Sequence, residues 1–312
     1  MQCPDHHVSS VHHHCATMTG VPSFFKNLTI GGLSAIIAKV AVAPLERVQL
    51  LLQVQPTLEI PPNKRYKGLI DCMIRIPKEQ GFFSLWRGNT ANVIRSFPAQ
   101  ALGFAFKDKY KLIFLDGVNY SKNFYRYLCG NLAAGGAAGG TAMCFVYPLD
   151  FARTRLGADL GKTATEREFS GIFDCARKIF RTDGVIGFYR GFSVAIHGFV
   201  IYRAAYFGIY DTLKESLPAS RRSSVVLSLA IAEVAMIFSQ ISYPFDTVRR
   251  RMMMQSGRPE SEMLYKSAMH CWRKIYREEG VKAFFRGIVS NFLKSTGSAL
   301  VLVMYDQLHR LI

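Results

Sequence analysis

The sequence predicts an all-α membrane protein in which six transmembrane helices form three pseudo-symmetric repeats, with short surface helices between them. Two observations support this prediction. A proline motif and an aromatic-Arg-Gly motif each occur three times in one register, and each repeat has two apolar segments near the ~20 residues that a helix needs to cross a bilayer. We expect a disordered tail at residues 1–22, followed by repeats at 23–118, 119–217 and 218–312.

The two motifs keep a constant spacing along the chain. The pattern Pro-x-acid-x-x-polar occurs as PLERVQ, PLDFAR and PFDTVR at residues 44–49, 148–153 and 244–249, so the prolines lie 104 and 96 residues apart. The tripeptides WRG, YRG and FRG end 44, 43 and 43 residues after these prolines. Unrelated segments would not hold this register, so the chain consists of three copies of one unit.

Each unit has one apolar segment before the proline motif and another after the aromatic-Arg-Gly motif, as at residues 23–43 and 288–305. Their modest hydropathy is expected of helices that line a water-filled cavity. Between them, residues 71–80, 174–182 and 271–279 are predicted to be amphipathic surface helices that end before Gly81, Gly184 and Gly280. A soluble α-solenoid is the alternative, but it does not need such long apolar runs.

The charge balance indicates an anionic partner. The chain has 39 Lys and Arg against 22 Asp and Glu, a net charge of +17, which suits nucleic acid, anionic lipid or a phosphorylated small molecule. More than half of this excess lies between the motif acids and the motif glycines, which predicts that these three segments share the inner side of the membrane. Seven cysteines without a CxxC pair predict neither a disulfide framework nor a zinc site.

A proline at the same place in three membrane helices kinks each one and brings their ends toward a common axis. The motif acids and bases of neighbouring repeats then meet. Cyclic pairing would join Glu46 with Arg153, Asp150 with Arg249, and Asp246 with Gln49. Gln53 follows Glu46 by seven residues and is expected on the same helix face, toward the cavity. Such a ring can close one end of a cavity and act as a gate, whereas solvated charges at helix ends would have no reason to keep register with a proline.

The triplicate Px[DE]xx[KR] motif with its aromatic-[RK]-Gly partner resembles the mitochondrial carrier family across residues 23–312. The run Arg249, Arg250, Arg251, Met252, Met253 and Met254 is similar to the RRRMMM hexapeptide of the ADP/ATP carriers. The resemblance implies a monomer with the mitochondrial carrier fold in the inner membrane, with the basic loops in the matrix and both termini toward the intermembrane space. It implies exchange of Mg-free ADP and ATP by alternating access, with cardiolipin and membrane lipid as further partners, no nucleic acid, no cofactor or metal, and no enzymatic activity.

The resemblance also implies roles for particular residues. The phosphates would bind Lys39, Arg95 and Lys294, which are charged residues within membrane segments, and the adenine would bind Gly198, Phe199 and Tyr202, with help from Ser242 and Arg250. A second gate at the opposite end would use Asp108, Lys111, Asp211, Lys214, Asp306 and His309. Cardiolipin would bind at Gly68, Gly88, Gly171, Gly191 and Gly287, more weakly in the third copy because Ser267 stands where a glycine is expected.

Five positions on the expected substrate path depart from the family pattern: Gln49, Ser96, Gly103, Phe199 and Lys294. They leave open a diverged carrier with impaired exchange that acts mainly in proton leak or protein interaction. A nucleic-acid-binding protein is a third class, but it would combine clustered surface Lys and Arg with exposed aromatic residues and would lack six membrane segments.

Overall fold

The computed structural model describes residues 21–58, 60–116, 124–161, 166–218 and 225–297. The first repeat contains helices α1 (Val21–Val54), α2 (Leu69–Gln80) and α3 (Asn89–Leu115). The second contains α4 (Phe124–Ala158), α5 (Ile172–Phe188) and α6 (Phe192–Glu215). The third contains α7 (Val225–Ser239), α8 (Tyr243–Met253), α9 (Ala268–Glu279) and α10, residues 288–297. The chain is thus an all-α bundle of three like repeats, as the motif spacing predicts.

The membrane helices are α1, α3, α4, α6, the α7–α8 pair and α10. Within the described ranges, Phe192–Glu215 and Leu227–Met253 are long and apolar enough to cross a bilayer on length and composition alone, each with a mean hydropathy of 1.3. The other membrane helices carry polar side chains that line the cavities described below. These polar side chains lower the mean hydropathy of those helices.

The three motif prolines occupy related but unequal positions. Pro44 lies inside α1 and Pro148 inside α4, where each removes a backbone donor from its helix. In the third repeat a 3₁₀ turn, Gln240–Ser242, separates α7 from α8, and Pro244 falls in the first turn of α8. Proline is tolerated there because its missing N–H is unpaired in any helix start.

The surface helices bury one face against the membrane helices. The buried positions are a cysteine and an isoleucine four residues later, as Cys72 and Ile76 illustrate in α2. Burial raises the pKa of each such thiol, Cys72, Cys175 and Cys271, to about 12. The three surface helices lie where the sequence predicts them, except that α5 runs past Gly184 with a kink at its positive φ of 65°.

Three glycines of the aromatic-Arg-Gly motif join the repeats to one another. Gly88, Gly191 and Gly287 have left-handed backbone with φ of 78°, 83° and 86°. A Cβ on Gly88 would lie 2.9 Å from the backbone nitrogen of Gly157. A Cβ on Gly191 would lie 2.9 Å from the backbone oxygen of Arg249, and one on Gly287 would lie 3.1 Å from the backbone oxygen of Gln49. The first repeat thus meets the second, the second meets the third, and the third meets the first. We call these contacts the glycine seams.

Candidate functional site

Two ion pairs join neighbouring repeats at the proline end of the bundle. Arg153 on α4 donates to Glu46 on α1, and Arg249 on α8 lies 3.0 Å from Asp150 on α4. The four side chains are between 11% and 16% exposed. Because these charges are largely removed from water, loss of one partner would leave the other buried and unpaired. Asn92 on α3 donates a further hydrogen bond of 2.7 Å to Glu46.

At the third position the structure differs from the expected pairing of Gln49 with Asp246. The side chain that reaches Asp246 from the first repeat is Gln53, whose Nε2 lies 3.1 Å from Oδ2. The Oε1 of Gln49 instead accepts a hydrogen bond from Nζ of Lys294 at 3.4 Å. The backbone of Gln49 lies against Gly287 at the start of α10, the helix that carries Lys294. The expected Gln49–Asp246 contact is therefore wrong.

Asp246 does not depend on a cation from the first repeat. Its carboxylate oxygens accept hydrogen bonds from Arg249 and Arg250 of its own helix, each at 2.9 Å. A neutral amide from Gln53 is sufficient to complete its coordination. We call the resulting set the proline-end ring; it comprises Glu46, Arg153, Asp150, Arg249, Asp246 and Gln53.

The last arginine of the RRRMMM run belongs to the framework of the bundle. Arg251 is fully buried, donates to the backbone oxygen of Gln53 at 3.0 Å, and is paired with Glu279 of α9. Arg286 of the aromatic-Arg-Gly motif binds the same carboxylate at 2.6 Å. These two cations lower the pKa of Glu279 despite its burial. Arg251 therefore ties the third repeat to the first.

The three methionines of the run fill three different cores. Met252 packs in the third repeat with Val248 and Cys271, and Met253 packs in the second-repeat core. Met254 packs in a small cluster with Leu50, Val54 and Ala158 of the first two repeats. The motif residues thus hold the proline end of the bundle together from one helix, which is a structural role.

Two adjoining cavities lie above the proline-end ring. The larger, of about 790 Å³, is lined by residues of α1, α3, α4 and α6, including Lys39 and Arg95 of the expected substrate site. The smaller, of about 310 Å³, lies between α4, α6, α8 and α10. It is lined by the other expected substrate residues, Gly198, Tyr202, Ser242, Arg250 and Lys294. Phe199 lines both cavities. The structure thus places all eight residues on cavity walls, but divides them between two chambers.

Cations dominate the wall of the larger chamber. Among the described residues, its charged lining consists of Lys39, Arg95, Lys107, Lys111, Arg153, Arg203 and Arg249, together with one acid, Asp150. Arg95 lies 3.6 Å from the Asp150 carboxylate, so part of its charge faces an internal partner. A chamber with this excess of positive charge attracts multiply charged anions.

The expected adenine residues lie where α6 meets its neighbours. A Cβ on Gly198 would come 2.8 Å from Cβ of Phe245, so a glycine is needed for the close approach of α6 to α8. Tyr202 begins a stack of three tyrosines on one face of α6, with ring centroids 5.9 Å from Tyr202 to Tyr206 and 6.1 Å from Tyr206 to Tyr210. Tyr202 therefore has one aromatic face already in use.

Half of the second expected gate falls outside the described residues. Asp306, His309 and the side chain of Asp211 lie there. Asp108 and Lys111 are exposed on α3, and Lys111 lines the larger chamber. Nζ of Lys214 lies 3.3 Å from the hydroxyl of Tyr210. The pairing of this gate stays a prediction.

The helix starts that carry the expected lipid-binding glycines differ between the repeats. Gly68 and Gly171 precede α2 and α5 and offer no side-chain cap. The corresponding Ser267 caps α9 with its own hydroxyl, which accepts from the backbone nitrogen of His270 at 3.1 Å. Unpaired amides therefore remain available for an anion at the first two starts, and one fewer at the third.

The sequence analysis missed Glu233, an acid within the apolar helix α7. Its carboxylate accepts a hydrogen bond of 3.2 Å from the hydroxyl of Thr296 on α10. A lone carboxylate in a membrane helix is expensive and is usually directed at the bundle interior. The signal was visible in the run SLAIAEVAMIFS, where the acid interrupts apolar residues.

The chain is similar to a known protein family and to several curated proteins. The model "Mitochondrial carrier protein" matches residues 20–118, 126–221 and 221–312. ADP/ATP translocase 3 of Homo sapiens is 60% identical over 292 residues, which is 93% of this chain and 98% of the relative. ADP/ATP translocase 2 of Bos taurus is 59% identical over 290 residues, covering 92% and 97%. ADP/ATP translocase 4 of Mus musculus is 59% identical over 288 residues, covering 92% and 89%.

Proposed function

The chain belongs to the mitochondrial carrier family, and from this membership and the cavity geometry we propose that it exchanges ADP for ATP across the mitochondrial inner membrane. The observation that carries the proposal is the pair of adjoining cavities lined by all eight expected substrate residues. Relatives with 59–60% identity over nearly the whole chain are ADP/ATP translocases. The protein acts as a transporter and not as an enzyme.

The charge of the cavities suits nucleotides without magnesium. Seven cations against one acid in the described lining of the larger chamber would repel Mg²⁺ and would themselves neutralise the phosphates. ATP⁴⁻ against ADP³⁻ moves one net charge per exchange, which is worth about 2.3 kcal/mol per 100 mV of membrane potential. The membrane potential would therefore drive ATP outward.

The proline-end ring serves as one gate of an alternating-access cycle. Its ion pairs close the cavities at that end, and opening requires Glu46 to leave Arg153 and Asp150 to leave Arg249. Because the basic loops lie at the same end, we place this end in the matrix and both termini in the intermembrane space. The described state is then open toward the cytoplasm.

Lipid and oligomeric state follow from the repeat structure. Cardiolipin phosphates bind at the helix starts marked by Gly68, Gly88, Gly171, Gly191 and Gly287. The third surface-helix start binds more weakly because Ser267 already caps it.

The protein works as a monomer, since three repeats of one chain surround the cavities without a second copy.

The decisive experiment is counter-exchange in proteoliposomes loaded with ATP and supplied with labelled ADP, with and without carboxyatractyloside. Arg95→Ala should raise the KM for ADP roughly 10- to 100-fold, because it removes a charged contact to the phosphates worth about 1.5–3 kcal/mol. Its folding is checked by thermal unfolding in detergent.

The matched control is Arg177→Ala, which removes an exposed arginine from the surface helix α5. This variant should exchange ADP like the wild type. ADP uptake by Arg95→Ala equal to that of Arg177→Ala would show that Arg95 does not contact the substrate. Absence of carboxyatractyloside-sensitive uptake by the wild type would overturn the proposed exchange and favour the diverged carrier.

A further inference from the structure

Three side chains of the described residues line both cavities and so lie where the two chambers meet; we call these three side chains the wall. Met143 of α4, Phe199 of α6 and Arg249 of α8 line both cavities. Arg249 is held in place by its ion pairs with Asp150 and Asp246. Phe199 carries no such restraint, and it is the large apolar side chain that α6 contributes to the wall. The wall therefore contains one aromatic ring whose position no ion pair fixes.

The ring of Phe199 packs against Gly139 on the neighbouring helix, a contact that we call its seat. A methyl group on Gly139 of α4 would overlap the tip of the ring and lie 2.8 Å from its Cε1 atom. A side chain at residue 139 would therefore displace the ring from its present position. On the same helix as Phe199, the guanidinium carbon of Arg203 lies 5.0 Å from the ring centroid, within the range of a cation–π contact. The ring thus bridges α6 and α4 and is held by Gly139 and Arg203.

This wall separates the groups that one nucleotide would have to contact. Lys39 and Arg95 lie in the larger chamber, whereas Tyr202 and Lys294 lie in the smaller one. Each chamber falls within the usual volume range of small-molecule sites, so an anion can bind in one of them alone. A molecule that reaches both sets of residues must move the ring off its seat.

We propose that Phe199 is a specificity-determining residue, a movable partition that a nucleotide must displace from Gly139 in order to span the two chambers. The partition penalises nucleotides but leaves the binding of a bare polyphosphate in the larger chamber unaffected. This inference rests on the proposed nucleotide exchange and assigns to Phe199 a role separate from the adenine contact expected of its position.

The test compares Phe199→Ile with the wild type. The isoleucine is too short to reach Gly139, so the chambers merge and the ring no longer has to be displaced. We expect two constants to fall by roughly 2- to 5-fold each: the Kd for ADP, measured as thermal stabilisation in detergent, and the KM for ADP exchange. This is the size of one lost cation–π contact, here the contact between Arg203 and the Phe199 ring. The Kd for inorganic tripolyphosphate should stay the same. An unchanged Kd for ADP, or an equal fall for tripolyphosphate, would overturn the proposal.

A double-mutant cycle tests the seat itself. Gly139→Ala should change the Kd for ADP in the wild-type background and have no effect in the Phe199→Ile background, because the isoleucine does not meet the added methyl group. Gly140→Ala is the matched control, since a Cβ there would meet open space. Equal effects of Gly139→Ala in both backgrounds would show that it acts through helix packing and would refute the seat.

The two proposals fail in different ways. Wild-type protein that binds ADP but does not exchange it would overturn the proposed exchange, while the partition would still be decided by the Kd comparison. Wild-type protein that neither binds nor exchanges ADP would overturn both.

Discussion

Replacing Gln49 by lysine tests the observed position of this side chain. The structure places the Gln49 amide oxygen 3.4 Å from Nζ of Lys294, and Gln49 is only 2% exposed. Gln49→Lys would put two ammonium groups in that space. With an effective dielectric constant of about 20, two like charges about 3.4 Å apart repel by about 5 kcal/mol, and by about 2 kcal/mol if the flexible stems separate them to about 7 Å.

We therefore expect Gln49→Lys to destabilise the protein by about 2–5 kcal/mol. At roughly 2 °C per kcal/mol for a chain of this size, the Tm in detergent should fall by about 4–10 °C. Gln49→Met is the control for the loss of the amide, since it has similar size and no charge. The double variant Gln49→Lys with Lys294→Gln restores one amide and one cation and should recover most of the loss.

The opposite pairing gives the opposite result. If residue 49 faced Asp246 across the ring, a lysine there would add a third inter-repeat ion pair, and Gln49→Lys would be more stable than Gln49→Met. That outcome, or a double variant no more stable than Gln49→Lys, would refute the contact between Gln49 and Lys294.

Two further predictions concern the surface helices. Single-cysteine variants that retain Cys72, Cys175 or Cys271 should react with a water-soluble maleimide at pH 8 far more slowly than a free thiol. The reason is that burial raises the pKa of each thiol to about 12 and leaves little thiolate. Labelling at the rate of a free thiol would contradict this burial. Ser267→Gly should cost only a few tenths of a kcal/mol in stability. It should nevertheless increase the rise in Tm that cardiolipin causes, because it frees the backbone amide of His270. An unchanged response to the lipid would rule out a site there.

The spacing of the repeated motifs predicted the architecture, because this spacing is kept when individual residues are substituted. It predicted the pairs of Glu46 with Arg153 and of Asp150 with Arg249 because each pair uses equivalent positions of adjacent repeats. It failed for Gln49 because an amide carries no charge that must be neutralised, so its partner, the ammonium group of Lys294, is set by local packing. Local packing of this kind leaves no periodic signal.

The residues that line the cavities could be predicted from the sequence, but their arrangement could not. The cavity-lining cations were recognisable because charge within an apolar segment is rare. The ring of Phe199 meets Gly139 on another helix where the two cavities adjoin, and no feature of either local sequence indicates that contact. The run RRRMMM was recognisable as a motif, whereas the structure was needed to assign its methionines to three separate cores.

The glycine seams make the bundle a closed circle. Gly287 of the last repeat meets Gln49 of the first in the way that Gly88 meets Gly157 and Gly191 meets Arg249. An open array of repeats can fray from its two end units, because each end lacks a neighbour. Here no repeat is an end unit, so loosening any one of them exposes two seams at once. The three copies should therefore unfold as one cooperative body, and a two-repeat fragment, which leaves both outer seams without a partner, should not fold alone.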